Sequence, residues 1–82
     1  MATVTIYSKK ECHLCDIAKE ELEALRSDFD FYLKEVDIGN EKIAFEKYKY
    51  LIPVIEVDGE IISTYRVVEK KLIELLKVKF QL

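Results

Sequence analysis

Along Thr3-Val4-Thr5-Ile6-Tyr7, β-branched and aromatic residues alternate in a way that predicts a first strand. The period then changes. Leu14, Ala18, Leu22 and Leu25 recur at near-helical spacing through a Glu/Lys-rich segment, which predicts a helix from about Cys12 to Arg26, broken at Ser27-Asp28. A second strand is expected around Asp30 to Val36, where Phe31, Tyr32, Leu33 and Val36 cluster. Gly39-Asn40 makes a turn, and Asn40 is expected to N-cap a second helix. The apolar stripe of that helix is Ala44, Tyr48 and Leu51, widened by Ile43 and Phe45, with no clear stop before Pro53. Val54–Val57, Asp58-Gly59 and Glu60–Ser63 read as a hairpin, Asp-Gly supplying the positive φ angles of a tight turn. A last helix is expected from about Tyr65 to Lys77. Val68, Leu72, Leu75 and Leu76 form its inner face, and Glu69, Lys70, Lys71, Glu74 and Lys77 its wet face. Val78 to Leu82 is expected to be a short tail in which Phe80 could still pack.

The order is β-α-β-α-β-β-α. A strand-helix-strand opening calls for a right-handed crossover and parallel neighbours, and the closing hairpin adds antiparallel strands. The expected fold is α/β: a four-stranded mixed sheet with helices on both faces. The chain of 82 residues suits one domain, 1–82, with a modest core. With 50% hydrophobic and 35% charged residues it belongs with globular rather than disordered chains. The net charge is -3 and no Lys/Arg cluster stands out, so no nucleic-acid partner is expected. Apolar runs are far too short for a membrane span, and the strand-like start offers no signal peptide. A cytoplasmic, monomeric protein without a membrane partner is the expectation.

The candidate chemistry lies where the first strand gives way to the first helix, at Cys12-His13-Leu14-Cys15. Cys12 falls at or near the N-cap, where unpaired N–H groups and the positive end of the helix dipole favour an anion. Its thiol pKa is therefore expected below the free value of about 8.5. Cys15 follows one turn later in line with Ala18 and Leu22, so it is expected to be the more buried thiol. An exposed attacker and a protected resolver make a dithiol that cycles through a disulfide. Two cysteines in one such pair, without export signals, also point to a reducing compartment and catalytic sulfur. Half of a zinc site has the same spacing, but structural zinc wants four ligands and His13 cannot easily share a tetrahedral metal with both sulfurs. No metal site within one chain is expected. A metal or iron–sulfur cluster bridging two chains stays open, as does a binding module that has lost turnover. His13 reads equally as an exposed first-turn residue or as an imidazolium that stabilises the Cys12 thiolate. Lys9 and Lys10 are solvated charges that also suit lowering the Cys12 pKa or steering an anion.

With that order and placement, the chain resembles the thioredoxin fold from Val4 to about Lys77. Tyr7-Ser8-Lys9-Lys10-Glu11-Cys12-His13-Leu14-Cys15 is similar to the glutaredoxin active-site stretch, and Ile52-Pro53-Val54 to the cis-proline stretch that faces the disulfide. Thioredoxins carry a buried acid where this chain has Ile6 and a Trp where it has Glu11, so the glutaredoxin-like branch is favoured. The resemblance implies a thiol-disulfide oxidoreductase with Cys12 and Cys15 as catalytic residues and Lys9, His13, Leu14, Ile52 and Pro53 as substrate-binding residues. No bound cofactor is implied, and the partners are disulfide-containing proteins and a reductase. Glutathione-using members carry Thr-Val-Pro and a later Gly-Gly-acid, whereas this chain has Leu51-Ile52-Pro53 and Ser63-Thr64-Tyr65-Arg66. Ser63-x-Tyr65-Arg66 somewhat resembles the Ser-Gly-Phe-Arg of redoxins recharged by thioredoxin reductase. The electron donor is thus left between glutathione, with Lys9 to attract a carboxylate, and thioredoxin reductase.

Overall fold

The first strand lies inside the sheet, with a neighbour on each side. The computed structural model describes residues 2–67 and 69–80. Its strands are β1 (Ala2–Ser8), β2 (Phe31–Asp37), β3 (Val54–Val57) and β4 (Glu60–Thr64); its helices are α1 (His13–Leu25), α2 (Lys42–Tyr48) and α3 (Glu69–Phe80). The order across the sheet is β2-β1-β3-β4. β1 runs parallel to β2 with Tyr7 beside Val36, and antiparallel to β3 with Tyr7 opposite Val54. The ends of β1 and β2 and the start of β3 therefore share one end of the sheet. The Cys12 loop leaves from that end.

Strand alternation sends Val4, Ile6, Ile55 and Val57 to one face, where they pack with Ala18, Leu22 and Leu25 of α1 and Leu72 and Leu76 of α3. Burying each such Leu, Ile or Val side chain contributes roughly 1.5–3 kcal/mol. The other face carries α2, whose Tyr48 ring lies 4.6 Å from that of Tyr7. This is the expected α/β architecture, a mixed sheet with helices on both sides. The Asp58-Gly59 turn takes φ values of 50° and 89°, as a tight hairpin requires. Its tip is tied to β1, since the Thr3 N–H donates to Asp58 Oδ1 at 2.9 Å and the Asp58 N–H to the Thr3 carbonyl at 2.9 Å.

Several expected boundaries move. Asn40 belongs to a 3₁₀ turn, Ile38–Asn40, stabilised by the Asp37 carboxylate accepting from the Gly39 N–H at 2.8 Å; the N-cap of α2 is Glu41. Ile43 and Phe45 do not widen a buried stripe: they are 79% and 37% exposed, because α2 is short and presents Tyr48 inward. Leu14 likewise faces solvent at 51% exposure, and Cys15 takes its place in the inner stripe. α3 starts at Glu69 rather than Tyr65, since Tyr65 has φ 71° and cannot enter a right-handed helix. It then continues through Phe80, absorbing most of the expected tail. Val68, expected on its inner face, lies outside the described residues.

Between β3 and β4 the register passes from Ile55–Ser63 to Glu56–Ile61, which leaves Ile62 as an extra residue in a bulge. The hydroxyl of Ser63 is buried without a hydrogen-bond partner among the described residues. Ser63→Ala removes that orphaned group, so the variant is expected to gain about 1 kcal/mol, read as a higher urea midpoint at unchanged slope. A lower midpoint would refute this.

Candidate active site

Local backbone geometry places the cysteines. Cys12 is the N-cap of α1 with an extended backbone (φ -116°, ψ 102°), and its Sγ accepts the Cys15 N–H at 3.2 Å. Its carbonyl accepts the Asp16 N–H at 3.1 Å, beginning the helical ladder. A cap sulfur in this position takes up one of the helix's unpaired donors, a contact that strengthens when the sulfur is anionic. Cys12 is partly exposed, whereas Cys15 is 0% exposed. The two form a disulfide with Cα atoms 5.2 Å apart. Immediately before them Glu11 adopts φ 58°, a left-handed conformation uncommon for a residue with a side chain, and this redirects the chain from β1 into α1.

The cis-proline stretch borders the same end of the sheet. The Ile52–Pro53 bond is cis and Pro53 is fully buried. Pro53 directly precedes β3, whose first residue pairs with Tyr7 at the end of β1. Tyr65, in its left-handed conformation, donates its N–H to the Pro53 carbonyl at 2.9 Å and to the Leu51 carbonyl at 3.1 Å. These bonds bracket Ile52, whose own backbone groups have no hydrogen-bond partner among the described residues. Left-handed non-glycine residues thus occur both at the cysteine loop and at the segment laced to the cis-proline, the kind of site where backbone strain collects. Neither Glu11 nor Tyr65 carries a sequence signal for it, because Gly or Asn is the usual mark of such a turn.

The other predicted residues distribute around this end. His13 and Leu14 are exposed in the first turn of α1, and Ile52 is partly buried beside Pro53. Lys9 is exposed and lines, with Lys10 and Lys19, a polar groove of about 400 Å³. Glu11, Asp16, Glu35 and Asp37 line it too, so Lys9 stands in a mixed rather than a purely cationic field. Among the described residues no group of three or more His, Cys, Asp and Glu is arranged to hold a metal ion, and no helix is long and apolar enough to cross a membrane.

One polar network was not foreseen. Glu56, pointing away from the Ile55 and Val57 side of β3, accepts the Tyr7 hydroxyl at Oε2 (3.2 Å) and the Tyr48 hydroxyl at Oε1 (3.4 Å). Its alternate position in the strand gives the face it points to, but nothing in the sequence brings two tyrosines from other elements to meet it. Burial, reinforced by the charge and hydrogen bond of Glu56, pushes the Tyr7 phenol up to about 12 from its ordinary 10.0. The raised value belongs to the folded state, so the unfolded chain ionises first. Tyr7 should therefore contribute stability that is complete below pH 10.0 and is lost as pH rises toward about 12. Phenolate absorbance is expected to show one late-titrating tyrosine that disappears in Tyr7→Phe; a tyrosine titration identical in the two proteins would contradict it.

A model of the glutaredoxin-like domain family (DUF836) matches residues 3–77. The chain belongs to this glutaredoxin-like family. A curated relative, the glutaredoxin-like protein YDR286C homolog of Dictyostelium discoideum, is 36% identical over 75 residues, covering 84% of this chain and 69% of the relative. Among solved structures, protein Ne2328 from Nitrosomonas europaea superposes with a TM-score of 0.82 at 19% identity, covering 92% of this chain and 91% of that one. Thioredoxin-2, described as a component of malaria parasite protein secretion machinery, gives a TM-score of 0.73 at 21% identity, covering 95% of this chain and 82% of that one. The fold of this glutaredoxin-like protein is the thioredoxin fold, and the Cys12–Cys15 pair fits its Cys-x-x-Cys type of site. A redox-type function is supported at that level.

Proposed function

We propose that the protein is a small dithiol-disulfide oxidoreductase that reduces protein or small-molecule disulfides through Cys12 and Cys15. The observation that carries this reading is the asymmetry of the pair: a partly exposed sulfur at a helix N-cap, and a fully buried one a single turn later, close enough to bond it. In the reduced protein the Cys12 thiolate attacks one sulfur of a substrate disulfide. The substrate S–S bond breaks, Cys12 enters a mixed disulfide, and the departing thiolate takes up a proton. Cys15 then gives up its proton and attacks Cys12 Sγ, which closes the internal disulfide and releases the second substrate thiol. Two electrons pass from the dithiol to the substrate.

The open backbone of Ile52 suits pairing with an extended substrate in the manner of an added strand. Tyr65, tied to the Leu51 and Pro53 carbonyls and 51% exposed, supplies apolar contact beside it, and the exposed Leu14, Lys9 and His13 are assigned by this reading to the substrate surface. Restoring the dithiol needs a reductant: either two molecules of glutathione, which leave as their disulfide, or thioredoxin reductase fed by NADPH. A reducing, cytoplasmic setting and action as a monomer complete the proposed reading.

The test is turnover of a model disulfide with these two recharging systems side by side. Turnover with glutathione makes the protein a glutaredoxin in activity as well as family. Turnover only with thioredoxin reductase makes it a thioredoxin-like donor. Silence in both, with visible absorbance and bound iron in the purified protein, would replace this reading with that of a cluster carrier bridging two chains.

A further inference from the structure

We propose that the cavity between α2 and the sheet is a binding site for the basic side chain, lysine or arginine, of a protein partner. The cavity measures about 350 Å³ and lies on the face of the sheet opposite α1. Its inner wall is the Tyr7–Glu56–Tyr48 network, in which each carboxylate oxygen receives one phenol hydrogen and keeps capacity for a second donor. The strongest donor to complete such a carboxylate is a cation, through a charge-assisted hydrogen bond. The two phenol rings beside it add π-faces that attract the same charge. Lys47 Nζ lies 5.4 Å from the centroid of the Tyr48 ring.

Shape and charge narrow the occupant. Val36 and Ile43 give the cavity apolar sides, which suit the methylene stem of a long basic residue better than a bare ion. Ile43 is 79% exposed, so the described chain does not cover the mouth. Of the charged groups lining it, Glu41 and Glu56 outnumber Lys47, which leaves a net negative field and disfavours an acidic occupant. Tyr7 and Val36 are each the last residue but one of their strands, so the cavity opens at the end of the sheet that carries the Cys12 loop. A partner that lies across this end would reach both.

Binding here is independent of redox turnover and is tested without it. The full chain is titrated with the Nα-acetylated amides of arginine, lysine and glutamate, and with methylammonium, and amide chemical shifts are followed by NMR. The basic probes are expected to produce saturable shifts around residues 7, 43–48 and 56, and to bind at least about tenfold more tightly than the glutamate probe. Glu56→Gln, which keeps the size and an acceptor but removes the charge, is expected to weaken them by about tenfold. Lys47→Ala, at an exposed position, removes the competing cation and is expected to tighten them. Failure to saturate, equal binding of the glutamate probe, or indifference to Glu56→Gln overturns the site. If Glu56→Gln does not fold, Lys47→Ala decides alone, and unchanged or weaker binding overturns the site. Methylammonium bound as tightly as the lysine probe would make this a bare ion site and overturn the side-chain assignment.

Discussion

Cys12→Ser is expected to lower disulfide turnover on the order of 10³-fold or more, because a serine hydroxyl does not ionise near neutral pH and cannot leave as a stable anion from a mixed intermediate. The variant is unusually clean to interpret. Cys12 is the N-cap of α1, and serine is among the best N-cap residues, so the helix should be kept or slightly stabilised. Lost activity with unchanged circular dichroism therefore reports the chemistry, not the fold. Cys15→Ser tests the other half of the pair. Without its resolving thiol, Cys12 should remain joined to a substrate thiol, visible by mass spectrometry as an adduct that a reductant releases. Cys15 is 0% exposed, so this variant also buries a hydroxyl and should lose about 1–3 kcal/mol of stability. A Cys12→Ser protein that still turns over at the original rate would remove the proposed mechanism outright.

Leu22→Ala carries the largest expected effect on stability. Leu22 is 0% exposed in the cluster that joins α1 to the sheet and to α3, and its loss leaves a cavity that rigid neighbours fill only in part. The expected cost is about 2–5 kcal/mol, a large share of the roughly 5–15 kcal/mol that holds a small domain folded. For a domain of this size each kcal/mol is worth about 4–8 °C, so Tm should fall by about 8 °C at the least. Thermal or urea unfolding reads this directly. A change within about 0.5 kcal/mol, typical of surface positions, would mean that α1 is not packed as described. The same substitution reaches the site, since Leu22 fixes the helix whose N-terminus holds Cys12.

The Cys-x-x-Cys was legible because its chemistry is local. The change of period between Tyr7 and Ala18 places the pair at a strand-to-helix junction, and a spacing of three residues puts both sulfurs on one side of one turn. The Asp58-Gly59 hairpin was legible for the same reason, since the backbone angles it needs are written in the residue types. Pro53 lay further off: its part in the site rested on resemblance, and pairing of β3 with β1 is what carries it to the end of the sheet where Cys12 begins.

Where tertiary contacts set the outcome, local preference was a poor guide. Tyr65 opens the segment expected to be helical, yet two carbonyls of the cis-proline segment capture its N–H and hold it left-handed, and α3 starts four residues later. Ile43 and Phe45 are as apolar as their buried neighbours, but α2 is too short to bury more than one side of itself. Glu56 reads as an ordinary polar position in a hairpin; only the meeting of β1, β3 and α2 makes it the centre of a hydrogen-bonded cavity. The elements, their order and the redox-capable pair can be read from the residues alone, because periodicity, turn chemistry and spacing act over a few residues. Which distant residues surround that pair follows only from the packed fold, because strand pairing and helix packing bring together groups whose meeting no local pattern encodes.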